Sequence, residues 1–144
     1  MRRILRFFRK PAREKRLILE ATLFLGLARF AILFIPFKVK ARYLGAHMKK
    51  TPNRPVATHK NALIAVARAI QTAGRHAPWE CVCLGRSIAG KLMLNRRKIP
   101  ATLYLGVAKD DDKNLIAHAW LRSGDMMVTG GREAPDFTMV STFA

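Results

Sequence analysis

The chain has 144 residues, half of them apolar, which is enough for one compact domain with a core and excludes disorder as the default. Its 27 Lys and Arg against 9 Asp and Glu give a formal charge of +18, more than solubility demands, so an acidic partner is implied: nucleic acid, anionic lipid or an acidic polypeptide. The two cysteines, Cys81 and Cys83, are spaced too closely to bridge each other well, which excludes a disulfide framework and points to a reducing cytoplasm.

The opening run MRRILRFFRKPAREKR is basic, but Pro11 and Glu14 break it and no small-residue cleavage site follows, so no secretion signal is predicted. Arg2, Arg3, Arg6, Arg9 and Lys10 read as a solvated basic face. Without a zinc-finger, RNP-like or helix-turn-helix signature, nucleic acid is not expected as a partner, while peripheral contact with an anionic membrane stays open to this segment. Residues 12–33 predict a long helix, apolar around most of its circumference, that neighbours must bury. Glu20 and Arg29 would be costly at a bilayer centre, so a core or interfacial helix is expected rather than a span. Pro36 stops the helix, and a basic, proline-punctuated connection runs on through Pro55.

Thr58 can cap a further helix in which Leu63, Val66, Ala67, Ile70 and Ala73 repeat at three- and four-residue intervals as far as Gly74. After the turn-forming RHAPWE, the segment CVCLGRSIAGKLMLNRRK predicts another helix, with Leu84, Ile88 and Leu92 on one side and Arg96, Arg97 and Lys98 in its last turn; Ile99-Pro100 ends it. The remainder consists of short β-rich runs, ATLYLGVA, LIAHAWLR, DMMVTG and FTMVST, separated by turn clusters. Helices first and strands after imply an α+β fold with an antiparallel sheet. Residues 1–57 read as a basic, apolar helical segment and 58–144 as the functional core, in one compact unit.

Within that core, Cys83 falls in the first turn of a helix, where unpaired N–H groups and the positive dipole end favour a thiolate. A free cysteine is often simply buried, so the partner decides. The candidate is His118, which alternation places with Ile116 and Trp120 on one face of a strand. His76, Cys81, Cys83 and His118 could instead be assembled around zinc, but Cys-x-Cys with remote histidines fits none of the usual spacings, so no metal is expected.

The stretch APWECVCLGRSIAGKLMLNRRKIPATLYLGVAKD followed by AHAWLRSGDMMVTGG resembles the leader peptidases of lasso-peptide biosynthesis, which are transglutaminase-like cysteine proteases. The carrying features are Trp79, Cys83-Leu84-x-Arg86-Ser87, the basic helix end before Ile99-Pro100, Leu105-Gly106-Val107 and Ala117-His118-Ala119-Trp120. The N-terminal run also looks like the helical segment these enzymes carry. The resemblance implies a papain/transglutaminase-like fold, with the nucleophile-bearing helix packed on a small antiparallel sheet. It implies Cys83 and His118 as catalytic residues, substrate contacts from Trp79, Arg86 and Trp120, and no cofactor. It also implies three partners: a lasso precursor peptide, a separate leader-recognition protein and an ATP-dependent macrolactam cyclase. A non-enzymatic basic adaptor and a transglutaminase-type acyltransferase are the competing readings.

The third catalytic position departs from the family's aspartate. A hairpin turn at Ser123-Gly124 would pair Trp120 with Met127 and His118 with Thr129, leaving Asp125 roughly 13 Å from the level of the imidazole. Thr129 is then the expected third residue. A slipped turn would bring Gly130 or Gly131 there instead, and Glu133 or Asp136 could fold back through the glycine corner.

Overall fold

The computed structural model describes residues 2–36, 38, 39, 42, 48, 50, 59–79 and 82–144. Among the described residues, the helices α1 (Arg2–Phe8), α2 (Ala12–Phe34), α3 (Lys60–His76) and α4 (Cys83–Arg96) lead. Four strands follow: β1 (Thr102–Lys109), β2 (Leu115–Ser123), β3 (Met126–Thr129) and β4 (Thr138–Phe143), with a short 3-10 turn at Ala134–Asp136. The strands form one antiparallel sheet in the order β3-β2-β1-β4, so the expected α+β architecture is the observed one.

Helix α2 follows Pro11 and ends at Ile35, whose extended backbone is the conformation a residue before proline prefers. Its stripe of Ile18, Ala21, Leu25 and Ala28 packs against α3 and α4. The all-round apolar character led to the expectation that neighbours bury the whole helix. Only one face is buried, and Leu19, Leu23 and Phe30 on the opposite face are each more than half exposed, at 61%, 61% and 57%. Helix α3 buries Leu63, Val66, Ile70 and Ala73, the anticipated face. Its cap expected from Thr58 lies outside the described residues. Gly74 does not end this helix, which continues to His76. The glycine makes room instead: a Cβ there would sit 3.2 Å from Arg86 Nε.

The helices cover one face of the sheet. Leu103 on β1, Leu121 on β2 and Phe143 on β4 meet Ile70, Met93 and Leu94 in a single core. Gly90 brings α4 into closest contact, since a Cβ there would lie 2.8 Å from Leu121 Cδ2 and 3.1 Å from Ile70 Cδ1. Next to Gly90, the buried Lys91 Nζ donates to the Ala101 carbonyl at 2.7 Å, and burial pushes its ammonium below the ordinary lysine range.

The hairpin differs from the expected register. Ser123 pairs with Met126 and Arg122 with Met127, so Gly124 and Asp125 form the turn, with Gly124 supplying a positive φ of 58°. An irregularity then sets Leu121, not His118, opposite Thr129. The sequence pattern could not reveal this extra residue, because Val128 and Thr129 are both acceptable on either face of a short strand.

Glu20 ties α2 to the basic end of α4. Arg97 donates to both carboxylate oxygens at 2.8 and 2.7 Å, and Arg96 approaches at 2.9 Å. The hydrogen bonds from Arg97 are the main cause holding the Glu20 carboxyl below the usual carboxylate range. A carboxylate with a lowered folded-state pKa contributes fully above its unfolded value and loses that contribution as pH falls through the folded one. Glu20→Gln is therefore expected to destabilise the protein by about 1–3 kcal/mol near neutrality. In urea unfolding, the gap to the unsubstituted protein should narrow as pH drops below the carboxylate range.

Candidate active site

Cys83 is the first residue of α4, after Val82 in an extended conformation, and no side chain caps the helix. The first-turn N–H groups are thus left without intrahelical partners beside the half-buried thiol. This end of the helix reaches the part of the sheet that carries His118. The middle of the helix is fixed near the start of β1 by Lys91, and Gly90 rests on Leu121. One turn before Gly90, Ser87 Oγ lies 2.8 Å from Thr129 Oγ1. Cys83 is one further turn back on the same helix face. From Gly90 to Cys83 the helix advances about 10 Å, and from Leu121 to His118 the strand advances about the same distance.

His118 is held on three sides. Its side chain is 11% exposed, with Nε2 2.9 Å from the Gly130 carbonyl oxygen and 3.8 Å from Glu133 Oε2. Its ring packs between Trp120, 5.9 Å away between centroids, and Phe137, 5.0 Å away. A carbonyl can only accept, so Nε2 donates the proton to Gly130, and a neutral imidazole is left with Nδ1 as its basic nitrogen.

Gly130 has no substitute at this corner. Its φ is +66°, and a Cβ would lie 2.5 Å from the Ala119 carbonyl oxygen and 2.9 Å from His118 Nε2. The slipped register thus puts a backbone carbonyl where Thr129 was expected, while the Thr129 hydroxyl bonds Ser87. Glu133 comes within reach of the imidazole, whereas Asp125 remains at the hairpin turn. The Thr129-Gly130-Gly131 sequence carried the signal for this corner, but only the bulge reveals which of the three faces His118.

The other predicted site residues separate. Trp120 is buried beneath His118 and stacks on Tyr104 at 5.5 Å with parallel rings, in space left by Gly106. Trp79 lies against α2, its ring 3.4 Å from the position a Gly26 Cβ would take. Arg86 lines a cleft of about 300 Å³ with Arg68, Ile64, Val128, Thr129 and Gly130, and its Nε has no hydrogen-bond partner among the described residues. A larger hollow of about 580 Å³ lies at the other end of α4 and contains Glu20, Arg96 and Arg97 but no nucleophile.

Cys83 Sγ makes no hydrogen bond among the described residues, so thiol and imidazole are not in direct contact. Strand alternation explains the separation: His118, Trp120 and Tyr104 share the sheet face opposite the one on which Leu121 meets α4. Among the described residues, no strand pairs with the outer edge of β2 beyond Thr129, where β3 ends. Cys81 lies outside the described residues. Among the described residues no three His, Cys, Asp or Glu side chains gather as a metal site.

Gly130→Ala should destabilise the fold by at least about 1–2 kcal/mol from the left-handed backbone alone, before the clash with Ala119. Urea unfolding measures this, and a loss below that range would contradict the tight corner.

Comparisons with curated protein sequences and with solved structures yield no significant match. Residues 31–142, from the end of α2 to β4, match the transglutaminase-like superfamily, whose enzymes commonly work through a cysteine. With helices leading into a four-stranded antiparallel sheet, a cysteine heading the last helix and an oriented histidine on β2, the chain belongs to that superfamily.

Proposed function

We propose that the chain is a cysteine peptidase that removes the leader from a ribosomally made lasso-peptide precursor. The observation that carries this reading is the Nε2 bond of His118 to the Gly130 carbonyl, which leaves Nδ1 as the basic nitrogen, at the strand level of Cys83 but on the other face of the sheet. Superfamily membership supports thiol chemistry in general. The resemblance around Cys83-Leu84-x-Arg86-Ser87 and Ala117-His118-Ala119-Trp120 supports the narrower substrate.

The proposed mechanism requires a rearranged conformer in which His118, now on the sheet face opposite the helix of Cys83, meets the thiol around the edge of β2. His118 Nδ1 takes the proton from Cys83 Sγ, and the thiolate attacks the scissile carbonyl carbon. The backbone N–H of Cys83 receives the developing oxyanion. The C–N bond breaks as the imidazolium returns its proton to the leaving amine, freeing the core peptide's amino terminus. Water, deprotonated by His118, then attacks the thioester, releasing the leader as a carboxylic acid and restoring the thiol. Arg86 and Arg68 beside Gly130 suit an acidic or carbonyl-rich stretch of substrate. The net charge of +18 would draw an acidic precursor or its separate recognition protein toward the enzyme. An ATP-dependent cyclase would consume the freed amine by macrolactam formation.

Mass spectrometry of precursor mixed with enzyme and recognition protein tests the proposal. Cys83→Ala and His118→Ala should each lower leader release by about a thousandfold or more. Cleavage surviving either change rejects the mechanism, and an amide-linked product in place of a free leader acid assigns acyl transfer instead. Among the positioning residues, Glu133→Gln should cost more activity than Asp125→Asn, since only Glu133 approaches the imidazole. Equal losses from these two would contradict the observed corner.

A further inference from the structure

The exposed side of α2 is unused by this chemistry. Leu19, Leu23, Leu27, Phe30, Leu33 and Phe34 all face solvent, between 49% and 70% exposed. At 100° per residue they occupy an arc of about 120° and run about 22 Å along the helix. No charged side chain interrupts them. Glu20 is turned aside into its pair with Arg97, and Arg29 is half-buried off the stripe. An apolar strip of this extent marks an interaction surface.

Cations gather at one end of the strip. Helix α1 has no buried residue and alternates Arg2, Arg3 and Arg6 with exposed Ile4, Leu5 and Phe8. Arg13 and Arg16 add two exposed charges in the first turns of α2. A second copy of the chain would bring +18 against +18, which opposes self-association through this face. A protein partner would be expected to offer polar groups to a rim, and the strip has none along its length. Acyl chains need no hydrogen bonds, and anionic headgroups would meet the arginines.

Spanning is excluded by the other face of the same helix. Ile18, Ala21, Leu25 and Ala28 belong to the core with α3 and α4, so lipid cannot surround α2 without dismantling the fold. A helix of 23 residues that is long and apolar enough to cross a bilayer is here held on its side.

We propose that α1 and the outer face of α2 form a docking surface for an anionic lipid bilayer, with α2 lying in the plane of the interface. The proposed docking does not require the peptidase chemistry: no hydrogen bond, ion pair or ring contact among the described residues links these side chains to Cys83 or His118.

Co-sedimentation of the full chain with vesicles of phosphatidylcholine, with and without phosphatidylglycerol, tests this without any peptide substrate. Binding to the anionic vesicles should exceed binding to the neutral ones by about tenfold or more and weaken with salt. The pair Arg3→Glu and Arg6→Glu, on a helix with no fully buried residue and only Phe7 packed against the core, should lower anionic binding by about tenfold or more. Leu23→Ser with Phe30→Ser should do the same at unchanged helical content. The proposal is overturned by equal retention on neutral vesicles, by no binding at millimolar anionic lipid, or by binding that the Leu23 and Phe30 changes leave intact. Light scattering showing a dimer that those changes dissociate, without vesicle binding, would assign the strip to a second copy and also reject it.

Discussion

The close approach of α4 to the sheet at Gly90 governs the arrangement of everything around it. Any larger residue would push Leu121 or Ile70 aside, lifting the helix from β2 and spoiling a core that joins three helices to all four strands. With the helix seated there, its two ends follow from rise per residue alone. The basic end falls at Glu20 and the start of β1, and the thiol end falls at the level of His118.

Charge is distributed in keeping with that geometry. The protein has few carboxylates, and one of them, Glu20, neutralises part of the arginine cluster that terminates α4. This is why α2 could look unfit for a bilayer by composition and yet present an outer face without charge. A helix is judged by its circumference, and a linear count of charges hides which side they occupy.

Element types and the sheet's antiparallel character were legible because periodicity and turn chemistry are local properties. Leu63, Val66 and Ile70 announce the core face of α3, and the helix-to-strand change after Pro100 is plain in the residues themselves. Thr129 shows where local reading stops. Its place opposite Leu121 depends on a single extra residue in β3, and one inserted position changes which groups meet across a hairpin. Gly74 is a similar case: it reads as a helix stop, but its function is to leave room for Arg86, which arrives from another helix. The faces of β2 were also legible by alternation, whereas the side of the sheet that α4 covers was not.

Orientation of the imidazole by a main-chain carbonyl has a consequence for how the site responds to its surroundings. A peptide oxygen accepts from one ring nitrogen and does not itself titrate, so the acceptor that holds Nε2 is the same at every pH. The carbonyl contributes a dipole, while Glu133 Oε2, 3.8 Å from the same nitrogen, brings a full negative charge. The two groups hold the ring differently: the carbonyl is fixed by the backbone of the glycine corner, whereas the Glu133 side chain is more than half exposed, so the ring's orientation outlasts any movement of the carboxylate.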